Sequence, residues 1–132
     1  EIVKKTIDAV KAHGLFDKLL ISSFSHELLV ECKKVDPRCK TGYLYSPNMK
    51  FALKKMIFGY VKFAKEIGAD YLHPHFSMVT KHYVKKLHEN GIGVNPWTVN
   101  DPETAIKLIK YGVDGIITDV PDVINALIAR NS

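Results

Sequence analysis

Two tetrapeptides, Ile67-Gly68-Ala69-Asp70 and Tyr111-Gly112-Val113-Asp114, carry the same pattern: an apolar helix end, a glycine, and an aspartate that opens an apolar run. Glycine supplies the left-handed conformation that closes a helix and turns the chain back onto a strand. Gly14 and Gly91 stand at two further junctions of this kind. The chain is thereby restricted to a regular alternation of helices and strands.

The segments between these junctions obey that alternation. Val3, Ile7 and Val10 give helical spacing over Glu1 to His13. Lys18 to Phe24 is a short run without amphipathic alternation in its first half, as expected of a parallel strand buried on both faces. Ser25 can cap a helix over His26 to Val35, which Pro37 ends, and Thr41 to Tyr45 is a second strand. Leu53, Met56, Ile57, Tyr60, Val61, Ala64 and Ile67 form one helical stripe, followed by a strand over Asp70 to His75. Thr80 can cap a helix from Lys81 to Asn90, and Ile92 to Val99 reads as a strand with a bulge at Pro96, which cannot donate to a ladder. Asp101-Pro102-Glu103 combines a cap, an N1 proline and an early acid, and the helix it starts closes at Gly112. A last strand, Gly115 to Thr118, leads through Asp119, read as a cap, and Pro121 into a final helix. One helix between each pair of strands implies an α/β fold with right-handed crossovers, either a barrel or an open doubly wound sheet.

The 132 residues, 46% hydrophobic and 25% charged, suit one globular domain over residues 1–132. A closed (β/α)₈ barrel takes about 250 residues, so a barrel reading makes this chain an incomplete one. Its opening, Glu1-Ile2-Val3, is already in helical rhythm and reads as a cut. The net charge of +5 comes largely from lysines opposite the apolar stripes (Lys54, Lys55, Lys62 and Lys65, then Lys81, Lys85 and Lys86), a solvated face that argues against a nucleic-acid partner. No apolar stretch reaches the ~20 residues of a membrane span and no signal segment is recognisable, so the compartment stays open, with a lean towards the cytoplasm. Phosphate-cradling glycine motifs of nucleotide-binding folds are absent. Cys32 and Cys39 lack companion zinc ligands and read as a reduced, buried pair, or as a disulfide in an exported protein.

Val94-Asn95-Pro96-Trp97-Thr98-Val99-Asn100-Asp101-Pro102, followed by Gly112-Val113-Asp114-Gly115-Ile116-Ile117-Thr118-Asp119-Val120-Pro121, resembles the closing signature of the glycerophosphodiester phosphodiesterase family. Ile21-Ser22-Ser23-Phe24 resembles that family's fourth strand, and Leu72-His73-Pro74 falls between these blocks in the family's order. The resemblance implies an incomplete TIM barrel made of strands four to eight of the parent and a leading helix. It also implies hydrolysis of glycerophosphodiesters to glycerol 3-phosphate and an alcohol, with Mg²⁺ or Ca²⁺ in the complete enzyme. The family's metal-holding carboxylates and its histidine pair match no position here, so no catalytic or metal-binding residue is assigned and the chain alone is expected to be inactive.

Active sites of such barrels lie at the C-terminal strand ends, which singles out Phe24, His75 and Trp97 as substrate contacts. Trp97 can wall the glycerol or alcohol moiety, its indole N–H free to donate, or it can merely plug the barrel mouth. Strand alternation points His73 and His75 to one face, which raises a rival reading as a metal-holding H-x-H pair, although Pro74 interrupts it and no carboxylate stands at ligand spacing. His13, His26, His82 and His88 read as surface groups. Open strand edges further imply self-association into a homodimer or higher oligomer, and a non-catalytic, self-associating scaffold is the alternative to an enzyme.

Overall fold

A computed structural model of the chain describes residues 1–48 and 57–131. Its elements alternate as α1 (Ile2–Ala12), β1 (Leu20–Ser23), α2 (His26–Val35), β2 (Lys40–Tyr45), α3 (Ile57–Glu66), β3 (Tyr71–Pro74), α4 (Lys81–His88), β4 (Gly93–Val94), α5 (Pro102–Tyr111) and α6 (Pro121–Asn131). Single 3₁₀ turns at Phe16–Lys18 and Phe76–Met78 precede β1 and follow β3. The four strands form one parallel sheet in the order β1-β2-β3-β4. Leu53 and Met56 of the expected helical stripe, with Lys54 and Lys55, lie outside the described residues.

Local chemistry sets the element ends. The side chains of Ser25, Thr80 and Asp101 each accept an N–H from the first turn of α2, α4 and α5, donated by Leu28, Tyr83 and Thr104. Gly14, Gly68, Gly91 and Gly112 all have positive φ, between 66° and 84°, as the junction pattern requires.

The helices cover one face of the sheet. Tyr43 and Tyr45 point from β2 into this layer, where Tyr43 meets Phe63 at 5.1 Å between ring centroids and Tyr45 stacks on Tyr60 at 4.7 Å. Leu72 and Val94 join them, packed with Leu29, Ala64, Leu87 and Leu108 from four successive helices. A satellite cluster of Val3, Ile7, Cys32 and Cys39 docks α1. Both cysteines are buried free thiols, and burial, with Cys39 nearby, pushes the Cys32 thiol up to about 11, which keeps it inert. Among the described residues no helix lies against the opposite face of the sheet, and there Leu20 and Phe24 remain 38% and 51% exposed.

Two expectations at the far edge need correction. The strand expected over Ile92 to Val99 is reduced to Gly93–Val94 plus a single bridge from His75 to Trp97. No bulge occurs, because the pairing of Tyr71 with Gly93 and that of His75 with Trp97 keep one register across Pro96. The N–H groups of Asn95 and Trp97 donate to Leu72 and Pro74 of β3, each at 3.0 Å, so the N–H that Pro96 lacks would face away from β3.

That missing donor explains the second correction. Gly115 to Thr118, expected as the fifth strand, lies beside β4 without becoming a strand. Asp114 and Ile117 donate to the carbonyls of Val94 and Pro96, and Val99 donates to Ile117, each at 2.9 Å. A regular ladder also needs N–H donors from Val94 and Pro96. The Val94 N–H is taken by the Asp114 carboxylate at 2.7 Å and Pro96 has none, so the outer pairing is interrupted.

Candidate functional site

Phe24, His75 and Trp97 come from three elements and meet at the C-terminal ends of the strands. The ring centroid of Trp97 lies 5.6 Å from that of Phe24 and 5.3 Å from that of His75, both edge-on at 86° and 87°. The Trp97 indole N–H is not free, contrary to expectation: it donates to the carbonyl oxygen of His73 at 2.7 Å. This bond fixes the ring plane and leaves its apolar surface turned to an open cleft of about 470 Å³, shared with Leu20, Phe24, Leu44 and Ile117.

His75 is held from the other side. Ser77 donates its backbone N–H to His75 Nδ1 at 3.3 Å, and the Ser77 hydroxyl lies 2.7 Å from the same nitrogen. With Nδ1 accepting, the neutral ring carries its hydrogen on Nε2 and presents a donor.

Beneath this cluster runs a polar line that strand-end reasoning misses. His73, 1% exposed, lies across the inward face with Nδ1 2.7 Å from Ser22 Oγ on β1 and Nε2 3.1 Å from Asn95 Nδ2 beyond β4. It crosses β2 over Gly42, where a Cβ would sit 2.2 Å from the imidazole. Burial pushes His73 down to about 4, so the ring is neutral near pH 7. Ser22 and Asn95 each stand two residues before a predicted contact, Phe24 and Trp97, and therefore share its face; that parity was the signal available in the sequence. Both ring nitrogens of His73 are engaged, so an H-x-H metal pair with His75 has no free atom on His73 to use.

The repeated aspartates do structural work at the opposite strand ends. Asp70 accepts the Thr41 N–H at 2.9 Å and pairs with Lys33 and Lys40, while Asp114 accepts the Val94 N–H and pairs with His88 at 2.7 Å. Burial pushes the Asp70 carboxyl up, but Lys33, the Thr41 N–H and Lys40 together outweigh it and hold the group below the usual carboxylate range. His88, read as a surface group, is thus tied to the strand edge, and Asp119, expected to cap α6, accepts from the Asn100 amide at 2.9 Å.

Among the described residues no three His, Cys, Asp or Glu side chains converge on a point, and the cleft walls carry no carboxylate. These residues do not fit a divalent-ion cage, and no chemical step is assigned to such an ion through them. No helix among the described residues is long and apolar enough to cross a membrane.

Comparison with known proteins agrees with this geometry. The glycerophosphodiester phosphodiesterase of Caldanaerobacter subterraneus subsp. tengcongensis is 34% identical over 129 residues, 98% of this chain and 50% of the relative. The solved structure of an Oleispira antarctica phosphodiesterase in complex with the product sn-glycerol-3-phosphate matches with a TM-score of 0.77 at 26% identity, over 96% of this chain and 49% of that one. The glycerophosphodiester phosphodiesterase structure from Parabacteroides distasonis matches with a TM-score of 0.76 at 26% identity, over 98% of this chain and 51% of that one. The chain spans about half the length of the curated relatives it matches, and its sheet and helices correspond to part of their TIM barrel. The model of the glycerophosphoryl diester phosphodiesterase family matches residues 1–123, and the chain belongs to that family.

Proposed function

We propose that this chain forms the C-terminal half of a barrel that hydrolyses glycerophosphodiesters to glycerol 3-phosphate and an alcohol. The observation that carries this reading is the meeting of Phe24 and Trp97 on one apolar cleft, with His75 packed edge-on against Trp97, at the strand ends where such barrels bind substrate. In this reading Trp97 and Phe24 wall the carbon skeleton of the substrate, and His75 donates through Nε2 to one of its oxygens. The family is metal-dependent in general. The ion, Mg²⁺ or Ca²⁺, and the groups that transfer protons belong to the other half of the barrel, so the chain by itself does not turn over substrate.

The test joins this chain to the first half of the Caldanaerobacter relative's barrel and measures glycerol 3-phosphate release from glycerophosphocholine with Mg²⁺ or Ca²⁺. The fusion is expected to turn over and the separate chain is not. A folded fusion without activity contradicts the reading. Metal-dependent turnover by the purified chain alone, lost in His75→Ala, also contradicts it.

The uncovered face favours self-association when the chain is alone. Leu20 and Phe24 are exposed there and β1 is the outer strand of the sheet, so a second copy gains both apolar burial and strand pairing. Light scattering coupled to size exclusion is expected to give a dimer or larger, and a stable, folded monomer contradicts this.

A further inference from the structure

The hydrogen bonds across the inward face have a direction. Asn95 meets His73 through its Nδ2 amide, which can only donate, so His73 Nε2 accepts. The neutral ring then carries its hydrogen on Nδ1 and donates it to Ser22 Oγ. Asn95 Oδ1 lies on the Gly115 side, where the glycine leaves it room that a Cβ, 2.9 Å away, would take. Among the described residues the Ser22 hydroxyl makes no other hydrogen bond. Its hydrogen is therefore left to point away from His73, and Ser22 is exposed on the wall of the Trp97 cleft. The walls around it are mostly apolar, with Leu20, Phe24, Leu44, Trp97 and Ile117, and Thr98 adds the one other hydroxyl-bearing side chain of the lining.

From this polarity we infer that Ser22 is a binding residue, the hydrogen-bond donor that anchors an acceptor oxygen of a glycerol-phosphate ligand inside the cleft, with His73 and Asn95 as positioning residues behind it. This rests on the glycerophosphodiester reading above and adds a contact to it. A serine hydroxyl in water both donates and accepts. Here the imidazole N–H occupies an acceptor site and directs the hydroxyl to donate, so the cleft favours an oxygen acceptor over an N–H donor at that point. The buried imidazole is too remote from solvent to exchange its role with water, which keeps the polarity fixed.

Two measurements test this, imidazole spectroscopy on the 132-residue chain and ligand binding on the fused barrel, whose other half takes the place of a second copy on the open face. Long-range ¹H–¹⁵N correlation of the imidazoles at neutral pH reports the tautomer without any ligand. Hydrogen on Nδ1 of His73 is the expected result, whereas hydrogen on Nε2 reverses the chain of donors and overturns the assignment. Isothermal titration calorimetry of the fused barrel with sn-glycerol 3-phosphate follows binding at the cleft that Ser22 and Trp97 line. Ser22→Ala is expected to weaken the dissociation constant about fivefold to tenfold, the loss of one hydrogen bond, and Ser22→Thr, which keeps the hydroxyl, to recover most of it. Wild-type binding that Ser22→Ala leaves within twofold overturns the role of Ser22 and spares the functional reading. No saturable response in wild type, with the Nδ1 tautomer observed, overturns the glycerol-phosphate ligand itself.

Discussion

Gly42 lies directly beneath the His73 imidazole: a Cβ at position 42 would stand 2.2 Å from Cε1 and 2.3 Å from Nε2. The glycine is thus a requirement of the histidine that crosses it. Gly42→Ala forces the ring off Ser22 and Asn95 inside a packed sheet, and the expected cost is about 1–3 kcal/mol of stability. Urea denaturation followed by far-UV circular dichroism measures it, and an unchanged midpoint contradicts the placement of His73 over β2.

The same imidazole sets an acid sensitivity. Its folded-state value is pushed down to about 4 by burial, against 6.5 for a solvated histidine, so the unfolded chain binds the extra proton first. Stability is fully present above pH ~6.5 and is lost as pH falls through the window from ~6.5 to ~4, by about 3 kcal/mol in all. Asp36 and Asp70 act lower in pH. Arg38 and Lys11 hold Asp36 down, and in Asp70 the lysines and the Thr41 N–H outweigh burial, so their contributions fade only below the ordinary carboxylate range. Unfolding free energies at pH 7 and pH 5 are expected to differ clearly in wild type and much less in His73→Gln. Equal slopes in the two proteins contradict the prediction.

Asp70 and Asp114 each satisfy a strand N–H that has no backbone partner on that side, those of Thr41 and Val94. Asp70→Ala or Asp114→Ala leaves the donor unpaired at a half-buried edge, at an expected cost of about 1–3 kcal/mol each. Thermal or denaturant unfolding checks it, and amide exchange at Thr41 and Val94 should accelerate selectively in the respective variants. Unchanged exchange at both sites contradicts the clamp.

How much of this was legible in the sequence depended on the range of the interaction. Caps at Ser25, Thr80 and Asp101 and the glycine junctions at Gly68 and Gly112 depend on residues within a few positions of one another, and each appears as read. The convergence of Phe24, His75 and Trp97 followed from barrel geometry and the family resemblance. The interrupted outer strand was not legible: it depends on the Asp114 side chain capturing the Val94 N–H beside Pro96, a competition between side chain and backbone that no apolar pattern records. The line from Ser22 through His73 to Asn95 was missed for a related reason. Its members are far apart in sequence and meet only once the register of β1 to β4 is set.

The central claim is that Trp97, pinned by His73 and flanked by Phe24 and His75, is a wall of the substrate site. The most direct measurement is kcat/KM for glycerophosphocholine in the fused barrel with and without Trp97→Ala, with circular dichroism confirming that both fold. The expected result is a ten- to hundredfold loss, the ~1–3 kcal/mol of a buried aromatic contact. A folded Trp97→Ala fusion with kcat/KM within twofold of the parent contradicts the account and makes Trp97 a plug of the barrel mouth.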